Sequence, residues 1–329
     1  MKELIIEFAA VGVSSFILTA VLSHYIIPYL KNKKIGQLIR EEGPEWHQCK
    51  AGTPTMGGIC FIMAMMIALL GMTVYFVIKG KQTSLIPMAL TMALAVMNGM
   101  IGFVDDYCKL MKHQNEGLKA GQKFWLQVVA AVVYVFLLKM LGYIDTSLHI
   151  PFTDIVVEIG AVYYIFAVVL IVGIVNSVNL TDGIDGLASS VTLVVAVFFA
   201  VVAITSMNDS LGLVSGALIG GMLGFLIFNL HPAKVFMGDT GSLFLGGAVT
   251  GAAFIINEPM IIFIVGGVYV LESVSVILQV AFFKTFHRRI FKMAPIHHHF
   301  EKCSWNEGKI VTVFSLATAA LCVLAWFGI

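Results

Sequence analysis

Apolar runs long enough to cross a bilayer follow one another along nearly the whole chain, and no other feature restricts the fold as severely. A hydrocarbon core of about 30 Å calls for roughly 20 consecutive apolar residues in a helix. Within it every backbone N–H and C=O must be bonded inside the segment. Ten such runs lie between charged or Gly/Pro punctuation, at roughly 8–30, 54–78, 84–104, 122–142, 158–178, 187–206, 210–229, 240–257, 260–282 and 308–328. With a mean hydropathy of +0.94 and only 12% charged residues, the chain cannot cover an ordinary water-facing surface. The sequence therefore predicts an all-α integral membrane protein: one polytopic domain over 1–329, ten transmembrane helices and no sizeable soluble domain. The first run carries no small-residue cleavage site and is read as a retained helix. Cys49, Cys60, Cys108, Cys303 and Cys322 are scattered without a CxxC spacing, which predicts free thiols.

An even number of crossings returns both termini to one side. All of the 20 basic residues except Lys2, Lys79, Lys81 and Lys139 then fall in or beside one set of loops, about 31–53, 105–121, 179–186, 230–239 and 283–307. The positive-inside rule makes that set cytoplasmic and places both termini outside. The formal net charge of +1 hides this asymmetry. The lipid bilayer is the expected partner, and no nucleic-acid partner is expected. Gly216, Gly220 and Gly224 in "GALIGGMLG" recur at helical spacing, which predicts close helix approach.

Asp105, Asp106, Asp182, Asp185 and Asp239 all adjoin run ends on the same face, so their loops should meet. In "GFVDDYCK", Asp105 and Asp106 repel one another unless they share a cation or a proton, although a solvated helix end is the plain alternative. In "NLTDGIDGLA", Asp182 and Asp185 would share the first turn of a helix if one begins there; simple capping competes with a ligand role. In "FNLHPAKVFMGDTGS", Phe236 offers a flat face for a ring, and Asp239 heads a turn that would cap a helix or hold a hard cation beside phosphate. In "MAPIHHHFE", His297, His298 and His299 project about 100° apart on a helix and cannot all face one zinc ion, which favours donors to phosphate or sugar. Lys50, Lys109, Lys119 and Lys123 flank these stretches; most loop lysines set topology or meet lipid headgroups, and one or two could neutralise phosphate. Carboxylates, lysines and histidines gathered at the water–lipid boundary suit phosphoryl transfer from a soluble anionic donor to a lipid-borne acceptor, with Mg²⁺ relieving the repulsion between two anions.

Together with "KAGTPTMGG" near Lys50, these four motifs in this order resemble the polyprenyl-phosphate N-acetylhexosamine-1-phosphate transferase superfamily, and within it the bacterial phospho-N-acetylmuramoyl-pentapeptide transferases. The resemblance runs from about Lys50 through Glu301. It implies an Mg²⁺-dependent enzyme of the bacterial cytoplasmic membrane, expected as a homodimer. The enzyme would pass phospho-MurNAc-pentapeptide from UDP-MurNAc-pentapeptide to undecaprenyl phosphate, giving lipid I and UMP. Position by position, it implies Asp239 as the metal ligand and Asp105 and Asp106 as the essential acidic pair, with Asp105 handling the lipid phosphate. Asn179, Asp182, Asp185, Asn229, Phe236 and Gly238 would lie on the nucleotide side. Lys50, Thr55 and Lys123 would contact substrate or phosphate, and His297, with His298 and His299, would line the sugar-diphosphate region. Direct attack by the lipid phosphate is favoured over a two-step aspartyl-phosphate route.

Glu272 interrupts the ninth apolar run, where a carboxylate is costly and by default points to function. A wetted groove and a protonated carboxyl with a backbone partner are equal explanations. A GlcNAc-1-phosphate transferase of the same superfamily is the near alternative for the whole chain; a transporter or lipid flippase is the distant one, since such sites lie near the midplane.

Overall fold

The computed structural model describes residues 2–32, 52–112 and 117–329. Its helices run in the order α1 (Lys2–Asn32), α2 (Gly58–Ile78), α3 (Ile86–Lys112), α4 (Ala120–Met140), then a small hairpin of β1 (Ser147–His149) and β2 (Val156–Glu158). There follow α5 (Val162–Thr181), α6 (Leu187–Ser206), α7 (Asp209–Asn229), α8 (Gly238–Ile255), α9 (Ile262–Val265), α10 (Gly267–Phe286), the short α11 (Ile296–Glu301) and α12 (Glu307–Trp326). The hairpin is antiparallel, with Leu148 opposite Val157.

Among the described residues, nine helices (α1–α7, α10 and α12) are long and apolar enough to cross a membrane, so the protein is an all-α multi-pass membrane protein. The expected run at 240–257 is occupied by α8, whose 18 residues are too glycine-rich to match those nine in apolarity. Every residue from Thr240 to Phe254 is buried, so α8 is walled in by its neighbours and needs little hydrophobicity of its own. Its principal neighbours are α3 and α5.

Three local expectations need correction. The run at 260–282 is not one helix, because Gly266 separates α9 from α10, which continues to Phe286. The run ending at 104 is shorter than its helix: α3 continues to Lys112, placing the acidic pair and Lys109 on a helix, not in a loop. The helix runs on past the last apolar residues of the run, and the Asp105–Lys109 ion pair at i, i+4 spacing supports it there. Finally, α6 starts only at Leu187, so Asp182 and Asp185 sit in the corner before it and do not share a helical face.

The glycine spacing does mark a close approach. A methyl group on Gly216 would stand 2.7 Å from the Phe8 carbonyl oxygen, and one on Gly224 would stand 2.8 Å from that of Phe16, so α7 packs backbone to backbone on α1. Cys60, Cys108, Cys303 and Cys322 are free thiols.

Candidate active site

Helix α8 begins with unpaired backbone N–H groups, as every helix does, and a side chain from another helix satisfies two of them. Asp106 of α3 accepts the Asp239 N–H on Oδ1 (3.3 Å) and the Thr240 N–H on Oδ2 (2.9 Å), with the Thr240 hydroxyl donating to the same Oδ2 at 2.7 Å. The preceding residue must be glycine. Gly238 lies at φ +70°, and a methyl group there would stand 2.6 Å from Asp106 Oδ2 and 2.9 Å from Thr55 Oγ1. Thr55 is brought there by a clip between segments: Phe236 N–H donates to Pro54 O and Gly57 N–H donates to Phe236 O, both at 2.8 Å. Phe236 itself is half-buried.

Asp105 points a different way from its neighbour, since successive residues on a helix are rotated by about 100°. Its Oδ1 accepts the Leu118 N–H at 2.8 Å, and its Oδ2 lies 2.6 Å from Lys109 Nζ. The adjacent carboxylates are thus reconciled by separate donors and by Lys109, which also lies 3.7 Å from Asp106 Oδ1.

Asp239 is the meeting point. Its Oδ2 receives Lys123 Nζ from α4 at 2.7 Å and Lys109 Nζ at 3.1 Å, and its Oδ1 accepts the Asn179 amide of α5 at 2.9 Å. Asn179 also donates to Ser242 Oγ at 2.8 Å. Burial alone would push the Asp239 carboxyl up, but the Lys123 and Lys109 ammonium groups outweigh it and hold it well below the usual carboxylate range. Its side chain remains 20% exposed, so water and a ligand can reach it. Asp105, Asp106 and Asp239 each offer an oxygen within 4.8 Å of the others, a group that could hold a metal ion. Hard carboxylate oxygens suit a divalent cation of the Mg²⁺ type, and the two ammonium groups resting on Asp239 Oδ2 show that the position favours positive charge.

The corner after α5 faces this cluster. Burial, followed by the negative charges of Asp239, Asp106 and Asp185, raises the Asp182 carboxyl well above its ordinary value. Asp185 is built into a second group: its Oδ2 accepts the Ala233 N–H and lies 3.0 Å from His231 Nδ1, while its own N–H donates to Glu307 Oε2 at 2.9 Å. Asn229 is buried and used at both ends, accepting the Ser189 hydroxyl and donating to Val235 O at 3.0 Å, so it braces the loop that carries Phe236.

The three histidines lie on α11 and diverge. His297 is fully buried against Gly183 and Glu272. His298 Nδ1 lies 2.6 Å from Glu301 Oε2, and His299 Nδ1 accepts the Lys292 N–H at 3.1 Å. Lys50 lies outside the described residues. The sequence set Lys109 among four flanking lysines of which one or two could neutralise phosphate and did not single it out; its Asp-x-x-x-Lys spacing from Asp105 was the available signal. Glu307, His231 and Thr240 had none, because their partners are remote in the chain.

Residues 88–257, which include both Asp105–Asp106 and Asp239, match Glycosyl transferase family 4, so the class is that of a membrane glycosyl transferase. Residues 50–62 match Phospho-N-acetylmuramoyl-pentapeptide-transferase signature 1. The chain is 46% identical over 315 residues to the phospho-N-acetylmuramoyl-pentapeptide-transferase of Clostridium perfringens strain 13, covering 95% of this chain and 96% of that one. It is 42% identical over 310 residues to the protein of the same name from Bacillus cytotoxicus, covering 94% of each. The chain belongs to the phospho-N-acetylmuramoyl-pentapeptide-transferase family.

Proposed function

We propose that the protein transfers phospho-MurNAc-pentapeptide from UDP-MurNAc-pentapeptide to undecaprenyl phosphate, releasing UMP and forming lipid I at the cytoplasmic face of a bacterial inner membrane. The observation that carries this reading is Asp239, a partly exposed carboxylate holding two ammonium groups where α3, α4, α5 and α8 converge. A phosphate oxygen of the lipid attacks the sugar-linked phosphorus, the bond to the UMP oxygen breaks, and one pyrophosphate linkage replaces another. Two anions must meet, so the step depends on positive charge already in place. Lys109 and Lys123 supply it from rigid helices.

Asp239, with Asp105 beside it, would hold Mg²⁺. When bound, the ion neutralises the diphosphate and withdraws charge from the bond to UMP. Asp105 orients the acceptor phosphate and takes its remaining proton. Asp106 acts through α8, whose first turn it caps, and Asn179 fixes the rotamer of Asp239. Asp182 and Asp185, with Phe236, Thr55 and Gly238, border the nucleotide side; Asn229 serves by bracing that loop. Lys50 is carried as a phosphate contact and His298 and His299 as donors to the sugar diphosphate, whereas buried His297 acts on the fold. The same reading carries ten crossings with α8 as the eighth, both termini outside, and a homodimer.

The test is UMP release from UDP-MurNAc-pentapeptide with undecaprenyl phosphate, in the presence and absence of Mg²⁺. Release is expected only with the metal and the muramoyl donor. Equal or better turnover of UDP-GlcNAc would shift the assignment to the GlcNAc-1-phosphate transferases, and no release with either donor would leave a transport role as the better reading.

A further inference from the structure

Two of the polar side chains of helix α10, Glu272 and Gln279, are seven residues apart and therefore on one face. Both reach the same segment of chain. Glu272, fully buried, places Oε2 3.1 Å from His297 Nδ1 and 3.4 Å from the His297 backbone N–H. Gln279 accepts the Ile290 and Phe291 N–H groups on Oε1 at 3.1 and 3.0 Å and donates from Nε2 to Phe291 O at 3.1 Å. Four of these five contacts end on backbone groups, three in the non-helical stretch at 290–291 and one at the first turn of α11.

The far side of His297 meets the corner after α5. A methyl group on Gly183 would overlap His297 Nε2, so only glycine lets the imidazole come this close to the backbone between Asp182 and Ile184. One residue beyond Glu272, Ser273 donates its hydroxyl to Ser177 Oγ of α5 at 2.7 Å, tying the same turn of α10 to the helix that delivers Asn179. Burying an ionisable pair stabilises a fold poorly compared with well-packed apolar side chains. Its retention in an apolar helix calls for a geometric benefit.

We propose that Glu272 and Gln279 are positioning residues for the transfer. They dock the histidine segment, residues 290–301, on α10, and through His297 and Gly183 they set its distance from the Asp182–Asp185 corner. His297 is then a spacer between two walls of the site, and substrate meets its neighbours His298 and His299. This rests on the transferase reading for its activity readout, and its structural readout is independent of it.

The experiment uses the full chain in lipid nanodiscs with the variants Glu272→Gln, Glu272→Ala, Gln279→Ala, His297→Ala and the double variant Glu272→Ala/His297→Ala. Amide hydrogen exchange over 288–301 and kcat and KM for both substrates are measured. Gln279→Ala and Glu272→Ala should speed exchange in that segment at least tenfold while α3 and α8 are unchanged. They should lower kcat at least tenfold, with KM for undecaprenyl phosphate within twofold. Glu272→Gln, which keeps an acceptor for the His297 backbone N–H, should restore kcat to within about threefold of the parent, and the loss in the double variant should be smaller than the two single losses combined. If Glu272→Ala does not fold, Gln279→Ala and the Gln rescue decide. Unchanged exchange in 288–301, additive losses in the double variant, or a raised lipid KM at constant kcat would overturn the proposal, the last by placing Glu272 on a lipid path. Absence of UMP release by the parent protein with the exchange result intact would count against the transferase reading alone.

Discussion

Two clusters at the same end of the bundle each bring three ligand-type side chains within 4.8 Å, Asp105–Asp106–Asp239 and Asp185–His231–Glu307, yet different groups compensate their carboxylates. In the first, the carboxylate at the centre is balanced by Lys109 and Lys123, side chains that can move aside or turn to a phosphate. In the second, fixed backbone donors take part, Ala233 N–H on Asp185 and Asp185 N–H on Glu307, beside the His231 imidazole at 3.0 Å from Asp185 and 3.6 Å from Glu307. Proximity of ligands is therefore a poor sign of a reactive centre. The informative feature is whether the compensating charge can be redirected, because a backbone amide has no second use while a lysine does. The Asp185 group joins α12 to the two loops it touches, and the Asp239 group is left able to trade partners.

This contrast can be broken most directly at Asp239. Asp239→Asn keeps size and the Asn179 contact but removes the charge that gathers both lysines; UMP release should fall about 10³-fold, the upper range for a single electrostatic contributor, with thermal stability nearly unchanged. If activity survives, the first cluster is structural and the two groups are alike. The opposite variant, Glu307→Ala, should act on folding. It strips the acceptor from a buried N–H, a loss of about 1–3 kcal/mol, read as a lower unfolding temperature, while kcat at a permissive temperature stays within about threefold and the Mg²⁺ titration is unmoved.

The smallest effect concerns Asp182, which lies between the clusters. Its carboxyl is raised in the folded state by burial and by its acidic neighbours. Below the ordinary carboxylate value both folded and unfolded chains are protonated and nothing changes. Above it the unfolded chain ionises first, so stability falls as pH rises, by at most about 1.4 kcal/mol per unit, until the folded group ionises too. Asp182→Asn should flatten that part of the stability profile. A profile as steep as the parent's would show that the penalty belongs to another group.

The helical membrane fold was legible because a bilayer allows few solutions: apolar length alone gives nine of the helices, and punctuation gives most of their ends. The motif residues were legible as types. Asp105, Asp106 and Asp239, with Asn179 and Lys123, do meet within hydrogen-bonding chains. What misled was reading helix bounds from apolar run length and punctuation. It ended α3 eight residues early, joined α9 to α10 across Gly266, and put Asp182 and Asp185 on one helical face.

Division of labour within the motifs was beyond the sequence. Nothing in "DD" states that Asp106 caps α8 while Asp105 holds the Leu118 turn, or that one of three consecutive histidines is buried on Gly183 while two remain partly exposed. The sequence determined that the chain enters a membrane and which chemical groups it carries to the membrane's edge, because hydrophobic length and residue type are properties of the chain itself. Only the tertiary structure decided which carboxylate caps a helix and which gathers the lysines, because hydrogen-bond partners are assigned between helices that are more than a hundred residues apart.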